Sequence, residues 1–285
     1  MVSSAYPVEI IWEPGLSIGY SGVAISLVMF GVSFGQMLFY LYSFPNDKRW
    51  LKLTILTIFF WDSVHTIGLL SAYWHVVLSC RRNTTSPECR RSFSRGSLVA
   101  FVGHVLVTLS VQSFYVHRVW IISGKNQLIA GVIILVMFFQ KFFAFSCGEL
   151  VIKNRDWLAL FGHPYALLAS GSGLMFNALV MISIAYFLRS NRSQMPGRNN
   201  YTRQLKRVFM EMGLMTCIIH ILVVITLLLP DLKARQRWAF APGSLLTKSY
   251  FNSMLAVLNA RKAIRQRQEE ALGQMYELGT LRNNS

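Results

Sequence analysis

Apolar residues run along the chain in seven long stretches that are separated by short polar breaks. An α-helix crosses the core of a bilayer with about 20 predominantly apolar residues, and each stretch reaches that length. None of them alternates apolar and polar residues with the period of two that a transmembrane barrel requires. The pattern predicts an all-α, polytopic membrane protein with a single seven-transmembrane-helix bundle, whose spans lie at about 18–42, 52–79, 97–122, 127–147, 164–188, 207–229 and 239–259.

Composition supports this class and excludes two others. Of the 285 residues, 53% are hydrophobic and only 14% are charged, and the mean hydropathy is +0.42. A soluble protein carries about 25% charged residues, and a disordered one lacks this much aromatic and aliphatic material. No connection between the spans is long enough for a second domain. We therefore expect one membrane domain at residues 1–260 and a basic, amphipathic cytoplasmic tail at residues 261–285.

The net charge of +16 is distributed in clusters between the apolar stretches. Such clusters are typical of loops held against anionic lipid, so the expected partner is the bilayer and not nucleic acid. The basic loop 189–206 and the basic tail predict a cytoplasmic C-terminus and an N-terminus outside or in a lumen, in the plasma membrane or an endomembrane. Five arginines in the second loop oppose this orientation, which leaves the topology open: Arg81, Arg82, Arg90, Arg91 and Arg95.

The second loop carries two further signals of an external face. Asn83-Thr84-Thr85 is an N-glycosylation sequon, and Cys80 and Cys89 flank it at a spacing that a disulfide can close. Sequons also begin at Asn191 and Asn200, in the loop that the charge pattern assigns to the cytoplasm. The glycosylated Asn83 and the disulfide are therefore hypotheses.

Ionisable residues inside the spans are the first place to look for function, because a charge at mid-membrane costs about 2.5–3.5 kcal/mol on insertion scales. Asp62 lies near the middle of span two and Lys248 near the middle of span seven. His65 shares a helix face with Asp62, and Asn252 shares one with Lys248. An ion pair between Asp62 and Lys248 is expected if the two helices are neighbours, either as a structural clamp or as part of a ligand or ion site between spans two, three and seven.

Span three adds a polar seam, because His104, Thr108 and Gln112 follow one another at four-residue steps. His104 is a further candidate for the ligand site, and Gln112 is a candidate for a structural or coupling role. Arg118 near the end of this span, Glu211 in span six and Asn259 at the end of span seven are also candidates for structural or coupling roles. No two histidines stand at i, i+3 or i+4, so the sequence predicts no metal site and no cofactor.

Four segments of the chain form recognisable motifs: Trp61-Asp62-Ser63-Val64-His65-Thr66, the end of span three from Val111 to Trp120, Glu211-Met212-Gly213 followed by Thr216, and the segment from Lys248 to Ala256. Together they resemble a family of fungal, mostly basidiomycete, seven-span integral membrane proteins defined by a domain of unknown function. The chain departs from the family in span five, where Asn177 stands at a position that is often acidic. The resemblance implies a seven-span membrane protein without an assigned activity. It favours the following positions: Asp62, His65, Arg118, Glu211, Lys248, Asn252 and Asn259.

Three function classes stay open on the sequence. A receptor or sensor fits the topology, with a small lipophilic ligand and a cytoplasmic transducer that contacts loop 189–206 and the tail. A carrier for a small lipophilic molecule is the second class. The third is an integral membrane enzyme of the acid-initiated cyclase type, with Asp62 or Glu211 as proton donor.

Overall fold

A computed structural model of the chain describes residues 13–75, 94–154, 160, 163–190 and 196–283. Within these ranges the chain forms seven helices and no strand, so the all-α prediction is confirmed for them. Cys80, Asn83 and Cys89 lie outside the described residues, as do 191–195 in the fifth loop. The helices are α1 (Glu13–Ser43), α2 (Arg49–Trp74), α3 (Arg95–Ile122), α4 (Gln127–Asn154), α5 (Pro164–Ser190), α6 (Pro196–Leu227) and α7 (Leu232–Asn283).

Six of the described helices, α1 to α6, are long and apolar enough to cross a membrane. Many of their large apolar side chains face outward, among them Tyr42, Leu128 and Phe138. A soluble protein does not expose so much contiguous apolar surface, whereas a bilayer covers it. The chain is therefore a multi-pass membrane-type helical protein that would sit in a lipid bilayer.

The helix α7 contains the seventh predicted span, 239–259, but it is not among these six. Lys248, Asn252 and Asn259 lower its hydropathy. The same part of α7 is the best enclosed segment of the bundle, because Tyr250, Phe251, Met254, Leu255 and Leu258 are essentially without exposed surface. A helix that contacts protein on all sides can carry polar groups that a lipid-facing helix cannot.

Two helices extend beyond their predicted ends. The fifth loop was expected at 189–206, but α5 continues to Ser190 and α6 begins at Pro196. Proline is favoured at the first helical position, where its missing N–H costs no hydrogen bond. The polar residues that follow Pro196 are helical although they lie outside the apolar stretch. Hydropathy predicts the residues that lie in the bilayer core and does not predict where the helix begins. α7 likewise continues without a break past residue 260, into the predicted tail.

The connections between helices follow local chemistry. Ser94 caps α3, with its Oγ accepting a hydrogen bond from the backbone N–H of Ser97 at 3.1 Å. Between α3 and α4 the chain reverses over a few residues, where Gly124 (φ 70°) and Lys125 (φ 66°) both adopt left-handed backbone conformations. This short turn makes α3 and α4 antiparallel neighbours.

Two helix pairs set the geometry of the bundle. α2 and α3 approach closely because glycines face the partner backbone: a Cβ at Gly103 would lie 2.8 Å from the Cβ of His65. α1 and α7 run in parallel, since Asn252 contacts Met29 and Asn259, one heptad later, contacts Gln36. These two pairs bring the middles of α2, α3 and α7 together.

Candidate functional site

Asp62 and Lys248 form an ion pair in the middle of the bundle. The Nζ atom of Lys248 lies 2.6 Å from Oδ1 of Asp62, and neither side chain has exposed surface. The same ammonium donates to Oγ1 of Thr66 at 2.6 Å and lies 4.8 Å from the centroid of the Phe30 ring. Oδ2 of Asp62 has no hydrogen-bond partner among the described residues. The ion pair that the sequence predicted is thus present, with one carboxylate oxygen unused.

The residue before Lys248 connects two histidines. Oγ1 of Thr247 lies 2.6 Å from Nδ1 of His104 and 3.5 Å from Nε2 of His65, and the two imidazole rings are 6.4 Å apart. His65 is buried, and its Nδ1 atom has no hydrogen-bond partner in the described part of the chain. The predicted candidates Asp62, His65, His104 and Lys248 therefore lie together between α2, α3 and α7.

A second group of polar contacts joins α3 to α4. The ammonium of Lys141 donates to Oγ1 of Thr108 at 2.8 Å, and Thr108 donates in turn to the backbone carbonyl of His104. One turn further, Nε2 of Gln112 donates to Oε1 of Gln140 at 2.7 Å. Lys141 is buried, and none of the described ion pairs includes it. The polar seam of span three thus faces α4 as well as α7.

A third group extends the contacts to α5 and α6. The hydroxyl of Tyr250 donates to Oδ1 of Asn177 at 3.1 Å and accepts from Gln112 at 3.3 Å. Nδ2 of Asn177 lies 3.1 Å from Nδ1 of His220, whose Nε2 has no partner in the ranges described. We call all of these residues the polar network: Asp62, His65, Thr66, His104, Thr108, Gln112, Gln140, Lys141, Asn177, His220, Thr247, Lys248 and Tyr250. It connects every helix from α2 to α7.

The other predicted site residues lie outside the polar network. Asn252 and Asn259 donate from their Nδ2 atoms to the carbonyls of Met29 and Gln36, at 3.0 and 2.9 Å, and so join α7 to α1. Asn252 was predicted to bind a ligand, but its amide N–H groups bond to backbone carbonyls. The side chains of membrane helices that hydrogen-bond across an interface commonly have this structural role.

Glu211 and Arg118 also lie apart from the polar network. Glu211 is exposed and pairs with Arg207 one turn earlier in α6, at 2.9 Å. The guanidinium of Arg118 lies 5.0 Å from the centroid of the Phe114 ring, near the end of α3. Residues spaced nine apart point to different sides of a helix, which is why Glu211 faces outward while His220 faces the bundle interior.

An ion pair that the sequence did not predict joins the α1–α2 turn to α7. Nη2 of Arg261 lies 2.6 Å from Oδ2 of Asp47, which also accepts a hydrogen bond from the hydroxyl of Tyr40 at 2.8 Å. Burial raises the pKa of the Asp47 carboxyl, but hydrogen bonds from Arg261 and Tyr40 outweigh it and hold the pKa below its usual value. Asp47 lies in a turn and Arg261 far along the chain, so only the parallel packing of α1 and α7 brings them together.

Gln140, Lys141, Asn177, Thr247 and Tyr250 were not among the predicted site residues. Each is a polar side chain at mid-depth in an apolar helix, which is the signal that identified Asp62. Four of them are neutral, and neutral polar residues are common in membrane helices, so this signal is much weaker for them than for a charge. Lys141 is charged, but a lysine in a span can either extend to the interface or pair with an acid, and the sequence does not choose between these. No group of three histidine, cysteine, aspartate or glutamate side chains that could hold a metal ion occurs in the described ranges.

Comparison with protein families gives a match to part of the chain. A family model described as "Family of unknown function (DUF6534)" matches residues 173–263, which include most of α5, the whole of α6 and α7 from its start to residue 263. A DUF6534 domain therefore contributes Asn177, His220, Lys248 and Tyr250 to the polar network. This confirms the resemblance to a family defined by a domain of unknown function over these residues, and it supplies no activity. No curated protein and no solved structure matches the chain.

Proposed function

We propose that the chain is a receptor- or sensor-like membrane protein in which the polar network is the element that responds to the stimulus. The observation that supports this most is that three neighbouring groups of polar contacts involve every helix from α2 to α7. They leave hydrogen-bonding capacity unused at Asp62 Oδ2, His65 Nδ1 and His220 Nε2. A buried polar network costs free energy to form and has few low-energy arrangements. Helices that it joins can therefore move together between discrete arrangements.

We further propose that α7 is the seventh span. Asn252 and Asn259 lie one heptad apart and contact Met29 and Gln36, which are also one heptad apart, so α7 runs beside α1 at the same depth. Seven spans put the termini on opposite sides, with the basic C-terminal segment in the cytoplasm by the charge rule. Glycosylation acceptor tags fused to the two ends of the chain, before Met1 and after Ser285, test this. Modification of the N-terminal tag alone is expected, and any other pattern would contradict the proposal.

The stimulus in this proposal is a small lipophilic molecule, and the output is a cytoplasmic transducer that contacts residues 189–206 and the tail. Native mass spectrometry of protein purified in nanodiscs is expected to detect a co-purified small molecule. Neutralising Arg203, Lys206 and Arg207 together is expected to abolish transducer coupling without reducing the amount of folded protein.

The two other classes receive less support from the geometry. An acid-initiated cyclase needs a protonated acid that faces its substrate, but Asp62 is engaged with Lys248 and Glu211 with Arg207. Product formation in detergent that is abolished by Asp62→Asn or by Glu211→Gln would replace the receptor proposal with that class. A carrier would move solute in liposomes that contain no other protein.

Thr247→Val tests the network as a responsive element, because it removes the hydroxyl between His65 and His104 and keeps the side-chain shape. Nitroxide spin labels are attached at Leu128→Cys and Gln204→Cys, in the N-terminal parts of α4 and α6. Pulsed electron paramagnetic resonance then measures the distance between these two helices. Two distance populations are expected, with Thr247→Val changing their ratio. Thr226→Val is the matched control, because its hydroxyl bonds only to the Val223 carbonyl of its own helix. A single distance that neither variant changes would refute the proposal.

A further inference from the structure

Five basic side chains lie around the ion pair of Asp47 and Arg261, at the end of the bundle where α1 turns into α2. Three of them follow Asp47 at the start of α2, and two follow Arg261 in α7: Lys48, Arg49, Lys52, Lys262 and Arg265. We call these five residues the basic cluster. Asp47 is the only acid between residues 14 and 61, and Arg261 already pairs with it.

Tertiary contacts bring the two parts of the basic cluster together. Nη2 of Arg261 lies 2.6 Å from Oδ2 of Asp47, and the ammonium of Lys262 donates to Oγ of Ser43 at 3.2 Å. Burial raises the pKa of the Asp47 carboxyl, but its hydrogen bonds and the charges of Arg261 and Arg265 hold the pKa below its usual value. The parallel packing of α1 and α7 thus unites bases from two segments that are 214 positions apart.

The positive charge of the basic cluster is not neutralised within the described part of the chain. None of its five members belongs to a described ion pair. Lys48, Arg49 and Arg265 are exposed, and Lys52 and Lys262 are half-buried. Lys52 donates to a backbone carbonyl and Lys262 to a serine hydroxyl, and both acceptors are neutral. Five positive charges are therefore available to an anionic ligand.

The basic cluster lies at the level of the lipid headgroups. The apolar parts of α1 and α2 end at the turn between them, and the aromatic side chains of Tyr42 and Trp50 are exposed on its two sides. Tyrosine and tryptophan are enriched at the interface between the bilayer and water. A ligand of the basic cluster can therefore keep its acyl chains in the bilayer.

A ligand that matches this site carries several negative charges in one compact head. Ammonium and guanidinium groups form charge-assisted hydrogen bonds with phosphate oxygens. A phosphatidylcholine headgroup has no net charge, and phosphatidylserine has a single net negative charge. An inositol headgroup with added phosphate groups concentrates several charges at one point, and clusters of basic residues next to the cytoplasmic end of a membrane helix bind such lipids.

We propose that the basic cluster binds the headgroup of a polyphosphorylated inositol lipid. The phosphate groups bridge the bases of the α1–α2 turn to those of α7, on the outside of the contact that Asp47 and Arg261 make from within. The bound lipid strengthens the attachment of α7 to α1 and α2. In the orientation proposed above, this end of the bundle faces the cytoplasmic leaflet, where anionic lipids are concentrated. The site is separate from the polar network, so its test does not depend on the receptor proposal.

Native mass spectrometry of the full-length protein tests the site, with phosphatidylinositol bisphosphate and phosphatidylserine offered at equal concentration. The protein is expected to retain the bisphosphate with at least fivefold preference. Two double variants, Lys48→Gln with Arg49→Gln and Lys262→Gln with Arg265→Gln, are each expected to reduce this retention at least fivefold.

A pair of single variants supplies the matched control. Arg265→Gln removes one positive charge from the basic cluster and is expected to lower retention of the bisphosphate at least twofold. Lys125→Gln removes one positive charge from the α3–α4 turn, which lies at the same end of the bundle, and is expected to leave retention unchanged.

Three results would overturn the proposal. Equal retention by the wild-type protein and both double variants would place the lipid elsewhere. Equal retention of phosphatidylserine and the bisphosphate would reduce the site to a general attraction for anionic membranes. Soluble inositol trisphosphate that binds as tightly as the bisphosphate lipid would assign the basic cluster to a water-soluble ligand. The elution profile of each variant on size-exclusion chromatography separates loss of binding from loss of fold.

Discussion

The ammonium of Lys248 in α7 lies 2.6 Å from the carboxylate of Asp62 in α2, and both side chains are fully enclosed by protein. The partners are 186 positions apart in the chain, and each would be costly to leave alone inside the bundle. The pair therefore fixes which face of α7 meets α2. It also sets the position of Thr247, and through it the contact between the two histidines.

Removing either charge is expected to destabilise the protein by about 3–5 kcal/mol, because the remaining partner is left buried and uncompensated. Asp62→Asn and Lys248→Met should both lower the thermal midpoint measured by size-exclusion chromatography after heating in detergent. The double reversal Asp62→Lys with Lys248→Asp should recover part of that loss. Glu149→Gln is the control, because its partner Lys153 is exposed and its loss should matter little. Single variants as stable as the wild type would contradict a paired, charged state.

Close packing of α2 against α3 makes Gly103 intolerant of even one methyl group. In Gly103→Ala the added Cβ would lie 2.8 Å from the His65 Cβ and 2.9 Å from its backbone nitrogen. We expect a loss of about 1–3 kcal/mol in stability, measured as a lower thermal midpoint. Gly35→Ala should have the opposite sign, with a gain of about 0.5–1 kcal/mol, because its Cβ position is open and alanine favours the helix. Equal effects at both positions would disprove the close approach.

Tyr250→Phe removes one oxygen atom and leaves the ring in place. The hydroxyl donates to Oδ1 of Asn177 and accepts from Nε2 of Gln112, so the variant leaves the buried Asn177 oxygen without this donor and removes one of the two hydrogen bonds of Gln112. We expect a cost of about 1–3 kcal/mol in the free energy of unfolding. Tyr186→Phe serves as the control, because Tyr186 is exposed on α5. A loss of the same size in both variants would show that the hydroxyl of Tyr250 contributes nothing specific.

The Asp47–Arg261 pair is expected to make stability depend on acid pH. Because the folded protein holds the pKa of Asp47 below its usual value, the pair stabilises the fold fully above the unfolded pKa of about 3.9. This contribution is lost as the pH falls through the lower pKa of the folded state. The thermal midpoint of Asp47→Asn should therefore lie below that of the wild type by a constant amount from pH 7 to pH 5. The difference should shrink below about pH 4. A difference that grows with acidity would have the wrong sign.

Two charged members of the polar network, Asp62 and Lys248, could be predicted from the chain, whereas Lys141 and most of the neutral members could not. A lysine and an aspartate at the centres of two apolar stretches stand out because their burial is expensive, and each needs a partner that only another helix supplies. Gln140, Asn177 and Tyr250 carry no such cost as single residues. Their role depends on which way each helix faces, and the nearly uniform apolar stretches around them leave that orientation open.

Glu211 shows the same limit. The sequence predicted for it a structural or coupling role, or the role of a proton donor inside the bundle. In the structure Arg207 and Glu211 lie near the polar start of α6, at a surface where they pair with each other. Hydropathy predicted which residues form the span, but it did not predict which side of the helix each residue faces. The role of Glu211 as a proton donor stays a prediction, which its exposed pair with Arg207 does not favour.

The apolar stretches alone established a helical, multi-pass membrane protein, because the cost of burying peptide groups in lipid allows few other solutions. They also marked Asp62 and Lys248 as a potential pair. Helix rotation and neighbour choice came only with tertiary packing: the parallel contact of α1 and α7, the glycine contact of α2 and α3, and the short α3–α4 turn. These contacts bring polar residues that are distant in the sequence into one network. They also place the basic side chains of the α1–α2 turn beside those of α7, because both features depend on which faces of neighbouring helices pack together.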